Sequence, residues 1–205
     1  MTGSVAAGKS TLCVAVKAAL EPVRQVEVVS TDGFLFPNAV LTERGVLIRK
    51  GRPETYDIAG LQAVLRDVRK GPVTVPGYSH AIYDIDPALA REIAPPDVLI
   101  VEGLGLTPRP EGLDLLIYLD AAEADLETWF VARFMDFWRA AEHDPTSFYA
   151  RFRTLPEAEV DAFARTVVWG QMNLPNLREH IIRARDEADV VVCKRGDHGL
   201  ELVKG

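Results

Sequence analysis

Gly3, Gly8, Lys9 and Ser10 fall in the spacing G-x-x-x-x-G-K-[ST], within the run Gly3-Ser4-Val5-Ala6-Ala7-Gly8-Lys9-Ser10-Thr11. That spacing lets successive backbone N–H groups converge on a polyphosphate, which then rests on the N-terminus of the following helix. Lys9 would reach the β- and γ-phosphates, and Ser10 would ligate Mg²⁺. Taken alone, the pattern also describes a glycine-containing cap before an ordinary helix. Two carboxylates offer chemistry that such a loop lacks. Glu102 closes the apolar run VLIVE, where an acid can hold Mg²⁺ directly or through water, although it would equally suit a turn or a helix cap. Asp32, in Thr31-Asp32-Gly33, is a candidate general base that would take the proton of an acceptor hydroxyl. Aspartate and glycine are also ordinary turn residues.

The run Tyr78-Ser79-His80-Ala81-Ile82-Tyr83-Asp84 concentrates hydroxyls, an imidazole and aromatic area, a mixture suited to a small polar substrate and also to a surface loop. Arg133 would stabilise a transferring phosphoryl group if it faced one, and would otherwise be a solvated helix arginine. Trp129, Phe130, Phe134, Phe137 and Trp138 recur at helical spacing, which reads first as core.

These residues need a scaffold. Helical spacing covers 10–20, 57–70, 121–142 and 157–172, and strand-like runs cover 26–30, 98–101, 115–119, 189–193 and 200–203. Strand and helix alternate, so the expected fold class is α/β, a doubly wound, mainly parallel sheet with flanking helices. Ligands in such sheets bind beyond the carboxyl ends of the strands, where Asp32, Glu102 and the phosphate loop would meet. Only Met1 and Thr2 precede the loop, so its supporting strand is expected to be missing or truncated. The slot for that strand lies between the strands at 98–101 and 115–119, and residues 1–205 are accordingly expected to be poorly stable or aggregation-prone.

The chain has 205 residues, enough for one domain with a real core, and no repeat or linker divides it. Its net charge of −7 argues against a general nucleic-acid or membrane-surface partner. No apolar run reaches the length of a membrane span and no signal-peptide pattern opens the chain, so a cytoplasmic protein is expected. Cys13 and Cys193 lie in apolar segments and are expected to be buried free thiols.

Together the runs GSVAAGKST (3–11), STDGFLFPNAVLTERG (30–45), RKGRPETYD (49–57), VPGYSHAIYDI (75–85), VLIVEGL (98–104), DPTSFYARF (144–152) and NLPNLREHI (173–181), with Lys194 and His198 as K-x-x-x-H, resemble the bacterial-type (type I) pantothenate kinases. These belong to the P-loop kinase group with uridine kinase and phosphoribulokinase. The resemblance covers the chain from residue 3 onward. It implies one P-loop kinase domain with a helical lid and substrate region at about 121–185, ATP and Mg²⁺ as cofactors, and a homodimer.

Residue by residue, the resemblance implies that Lys9 and Ser10 serve ATP and Mg²⁺ and that Asp32 is the base. Tyr78, His80, Tyr83 and Asn176 would surround pantothenate, with Phe134, Phe137, Phe148 and Tyr149 lining its pocket. Arg133 would face the transferring phosphate and His198 the adenine. An acceptor such as a nucleoside or sugar, or an inactive nucleotide-binding homologue, remains the alternative. The chain departs from the family pattern at several places. Gly105 replaces an asparagine ahead of a short loop, Glu142 replaces an aromatic of the substrate wall, and Phe130 replaces a tyrosine. Val14 stands where the family uses an arginine to hold coenzyme A phosphates, so weak feedback by coenzyme A is expected.

Overall fold

A computed structural model describes all of residues 1–205, and its sheet is organised around the shortest of its strands. β1 is only Thr2–Gly3, which pairs in parallel with β8 (Ile117–Ala121) through Thr2 opposite Tyr118 and Gly3 opposite Leu119. On its other side the Met1 amine donates to the Val101 carbonyl, and the Met1 carbonyl accepts from the Gly103 N–H at 3.1 Å. Those bonds join β1 to β7 (Val98–Glu102), which pairs in parallel with β2 (Val26–Ser30) over its whole length. Beyond β8 come β9 (Val190–Lys194, parallel) and the antiparallel edge strand β10 (Leu200–Lys204). The resulting order, β2-β7-β1-β8-β9-β10, is the mainly parallel α/β sheet that the alternation of elements predicts, with β1 in the expected slot.

Helix α1 (Lys9–Leu20) follows the phosphate loop, and its N-cap Gly8 has φ of +98°. At Gly3, φ is +140° and any side chain would collide with the Leu119 carbonyl, so the first glycine of the motif is required by close strand packing as well as by turn geometry. After β2 the chain makes a tight helical turn, Thr31–Phe34, with the Ser30 hydroxyl accepting from the Asp32 N–H at 3.2 Å. It then passes through α2 (Asn38–Glu43) and α3 (Ile58–Asp67). Two small hairpins precede β7. One pairs β3 (Val73–Val75) with β6 (Arg91–Ile93), and the other pairs β4 (Tyr78–Ser79) with β5 (Asp84–Ile85).

Two apolar clusters hold the sheet from its flanks. One gathers Val29 and Val101 of the sheet with Leu61 and Leu65 of α3. The other packs Tyr118, Leu119 and Val191 under α4 (Glu123–Ala140) and a long helix that starts as α5 (Glu157–Phe163). That helix continues as wide π turns over Ala164–Asn173 and Leu177–Ile181 and ends at Arg183–Glu187. Pro175 sits between the two wide stretches and supplies no N–H to the ladder. The sequence periodicity stopped at residue 172; the helix does not.

Other boundaries move slightly. Glu102 is the last residue of β7 rather than the first beyond it, and β8 begins two residues later than the apolar run suggests. Leu115 is 54% exposed, because it lies ahead of the strand. Both cysteines are free, but only Cys13 is buried; Cys193, on β9, is half-buried.

Candidate active site

The carboxyl ends of β1, β2 and β7 bring the phosphate loop, Asp32 and Glu102 to one rim of the sheet, as predicted. Lys9 is buried, and its ammonium donates to the carbonyls of Gly3 at 3.1 Å and Ser4 at 2.8 Å. Burial lowers its pKa, while the charges of Glu102 and Asp32 oppose that shift. The ammonium is thus held inside the loop at the place where phosphate oxygens would arrive.

The Ser10 hydroxyl donates to Glu102 Oε1 at 3.0 Å, and Glu102 is 8% exposed. A hydroxyl beside a buried carboxylate is a hard-oxygen donor pair with too few ligands for a closed cage; no cluster of three or more His, Cys, Asp or Glu side chains is present. Such a pair fits Mg²⁺, which keeps several waters and takes the rest of its shell from phosphate oxygens.

Asp32 faces a cavity of about 680 Å³ that begins beside Val5 of the loop and includes Arg133 in its wall. His80 Nε2 stands 3.8 Å from Asp32 Oδ2. Burial against its neighbours lowers the imidazole pKa, against the pull of the Asp32 charge. His80 also meets the Tyr78 ring edge-on at 5.1 Å. Aromatic rings build most of the wall. Tyr83 lies 4.6 Å from Phe148, and Phe137 stacks on Tyr149 at 5.1 Å with 13° between planes. Phe130 and Phe134 belong to the buried core and line the same cavity, so the aromatic stripe of α4 is core and wall at once.

Several wall residues escaped the sequence reading. Lys50 donates to Asn38 Oδ1 at 2.6 Å and to the Tyr83 carbonyl at 2.7 Å, and its ammonium lies 4.3 Å over the Tyr83 ring. Burial lowers its pKa to about 8, with Asp84 and Asp32 opposing. The Asn38 amide donates to the same carbonyl at 2.8 Å, and together these bonds hold Tyr83 at φ +57°. Tyr56 also lines the cavity, and its buried hydroxyl has no partner. The RKGRPETYD run was the available signal, but it carries no periodicity from which a wall could be read.

Asn176 is placed differently from the rest. It is buried behind the wall, its amide donating to the Gly51 carbonyl at 2.9 Å; Gly51 and Asn173 are the residues at the cavity surface. Glu142 does not stand on the wall either. It lies past the end of α4 and meets Arg153 at 3.3 Å, so its difference from the family aromatic leaves the cavity untouched. Beyond the phosphate loop, His198 (φ +66°) stacks on Trp129 at 5.1 Å. Lys194 lies 4.0 Å over the same Trp129 ring and reaches the Ala7 carbonyl at 3.2 Å. Val14 is 67% exposed on the outer face of α1.

No protein-family model matches the chain. A pantothenate kinase from Sorangium cellulosum is 42% identical over 217 residues, which are 99% of this chain and 70% of that protein. A pantothenate kinase from Bradyrhizobium sp. is 40% identical over 221 residues, 99% of this chain and 69% of its own length. Among solved structures, a protein provisionally named a fructose transport system kinase, from Silicibacter sp., superposes with a TM-score of 0.66 at 29% identity, covering 91% of this chain and 82% of its own. The near full-length likeness to curated pantothenate kinases, on a fold whose phosphate loop, aspartate and aromatic cavity meet at one rim, decides the family: the chain belongs to the pantothenate kinases.

Proposed function

We propose that the protein transfers the γ-phosphoryl group of ATP to the primary hydroxyl of pantothenate, the first step of coenzyme A biosynthesis. The observation that carries this reading is Asp32, paired with His80, at the mouth of an aromatic cavity that starts at the phosphate loop. Pantothenate has a gem-dimethyl carbon between its two hydroxyl-bearing carbons and a short amide-linked chain that ends in a carboxylate. Rings suit the apolar parts, and Tyr78, His80 and Tyr83 suit the polar ones. A sugar, with a hydroxyl on nearly every carbon, would leave several polar groups unpaired against this wall.

In the reaction, Asp32 accepts the proton of the primary hydroxyl as its oxygen bonds to the γ-phosphorus. The bond from that phosphorus to the bridging oxygen breaks, and ADP leaves. Lys9 and Arg133 bear on the charge of the transferring group. Ser10 and Glu102 would hold Mg²⁺, which would supply charge neutralisation of the phosphates. His198 and Trp129 offer stacking surface for adenine, and Asn176 acts on the acceptor by holding the Gly51 turn. The homodimer and the cytoplasmic location implied by family belong to the same proposal; no helix is long and apolar enough to cross a membrane.

The test is ADP release measured with pantothenate, uridine and fructose in parallel. Pantothenate should lead in kcat/KM by at least about tenfold, the scale on which unpaired polar groups discriminate. A preference for either of the other acceptors overturns the reading, and ATP–Mg²⁺ binding without turnover of any would indicate an inactive homologue.

A further inference from the structure

Two arginines line the acceptor cavity, Arg133 and Arg151, and neither meets a protein carboxylate. On the surrounding helical layer this is unusual. Arg139 pairs with Glu157, Arg153 with Glu142, Arg165 with Glu127 and Arg178 with Glu123. Arg133, on α4, belongs to the phosphoryl end of the cavity, where its charge reaches Lys9 and His80. Arg151 belongs to the other end. It rises from the turn Phe148–Phe152, and its guanidinium lies 4.1 Å over the Phe148 ring. That turn is fastened to the His80 loop, since the Phe148 N–H donates to the Ala81 carbonyl at 2.7 Å. From Asp32 the wall runs through His80, Phe137, Tyr149 and Phe148 before reaching Arg151.

Resting on the acceptor reading above, we propose that Arg151 selects for anionic acceptors by pairing with a carboxylate at the end of the substrate remote from the phosphorylated hydroxyl. Stacking on Phe148 pre-orients the guanidinium fork, so less side-chain freedom is lost when it pairs. The other cation in this half of the cavity, Lys50, is committed to Asn38 and to the Tyr83 carbonyl. The nearby carboxylates are Asp32, at the reacting end, and Asp84, whose Oδ1 accepts from the N–H groups of Asn38 and Ile85. Arg151 is therefore the cation left free for a ligand carboxylate. It is solvent-exposed at the cavity rim, so the pair contributes at the lower end of the range for charged hydrogen bonds.

The experiment compares pantothenate with panthenol, in which a neutral primary alcohol replaces the carboxylate, for the unmodified protein, Arg151→Lys and Arg151→Gln. Arg151→Gln should raise KM for pantothenate about tenfold and leave KM for panthenol and for ATP within about twofold. Arg151→Lys should recover part of the loss, because charge without the bidentate fork is retained. If pantothenate and panthenol weaken together, the residue only shapes the wall, and if neither weakens, it is a solvated arginine. Either outcome overturns the proposal. Failure of the acceptor reading looks different: the unmodified protein itself would turn over neither compound. A melting temperature unchanged in both variants separates these readouts from a folding defect.

Discussion

The structure holds two large cavities, and they are built in opposite ways. The acceptor cavity, about 680 Å³, is walled by side chains whose polar ends converge: Asp32, His80, Lys50, Tyr78 and Arg133. The second, about 430 Å³, lies below Met1 between β7 and the segment that leads into β8, with Val98–Val101 on one wall and Leu113, Asp114, Leu115 and Ile117 on the other. Val16 and Leu20 of α1 and Leu65 and Val68 of α3 close it with apolar surface, and charged groups occur at Arg69, Asp97 and Asp114. The first cavity gathers titratable and aromatic side chains beside the phosphate loop. The second has the width of a β-strand and offers backbone edges. Only Met1, Thr2 and Gly3 occupy that strand position, at the end that supports the phosphate loop. On the proposed reading the first cavity serves turnover, and filling the second would bear on stability, so changes in each should move different observables.

Asp32→Asn gives the largest separation. The amide keeps the shape of the side chain and loses its proton affinity, so kcat should fall on the order of 10²–10⁴-fold while the melting temperature and ATP–Mg²⁺ affinity hold. A variant that instead lost ATP–Mg²⁺ affinity with turnover intact would make Asp32 a metal-site residue. Lys9→Met should follow, with a loss of about 10²–10³-fold in turnover from missing charge stabilisation. Retention of more than about a tenth of the activity, against that expectation, removes Lys9 from the phosphoryl site.

The parts of these cavities that the sequence made legible were those encoded locally. The phosphate loop, the Thr31-Asp32-Gly33 turn and the Tyr78–Asp84 loop each carry their chemistry within a few residues. Lys50, Asn38 and Tyr56 do not. They reach the wall because the chain after β2 folds back on itself, with Leu35 bridging Tyr56 and the Asn38 N–H bonded to Asp84 Oδ1 at 2.9 Å. No period announces such pairings. Glu142 shows the converse: the family resemblance implies a wall position for it, whereas α4 ends at Ala140 and Glu142 meets Arg153. The slot for a missing or truncated first strand is legible in the sequence, whereas the bonding of Met1–Gly3 to both neighbouring strands is not, because two residues are too few for a strand signal.

Helix α1 leads out of the phosphate loop and borders the strand slot, and Val14 tests which face of it matters. Val16 and Leu20 face the strand slot, Lys9 and Ser10 lead the phosphate site, and Val14 faces solvent. The family resemblance implies an arginine here that holds coenzyme A phosphates. Without a guanidinium, inhibition by coenzyme A should be weaker by about ten- to a hundredfold, the value of one charged hydrogen-bonding contact. Val14→Arg should restore part of it with no change in melting temperature. Tight, ATP-competitive inhibition of the unmodified protein would refute this.

The slot itself gives the smallest effect and the sharpest contrast with Asp32. The Val101 carbonyl is bonded to Met1, and in a strand the N–H and carbonyl of alternate residues share a side, so Leu99 also faces the slot. By the same alternation from Leu119, which faces β1, Ile117 and Leu115 present their backbone groups from the opposite wall. A designed segment of about five alternating β-branched residues, fused in frame ahead of Met1, would extend β1 and pair with both edges. Each buried backbone group that gains a partner removes a cost of about 1–3 kcal/mol, offset by the entropy of ordering the added residues at about 1–2 kcal/mol each. A net gain of one or two kcal/mol should raise the melting temperature by roughly 2–8 °C in a chain of this size. Because β1 holds Gly3 and the loop's N–H groups in register, ATP affinity should rise with it, whereas the discrimination between acceptors should stay as it was. A segment containing proline at its centre is the control, since it cannot complete the ladder. Equal melting temperatures for the two fusions would show that the slot is already satisfied by water and side chains, and that the two cavities differ in shape but not in what they leave unpaired.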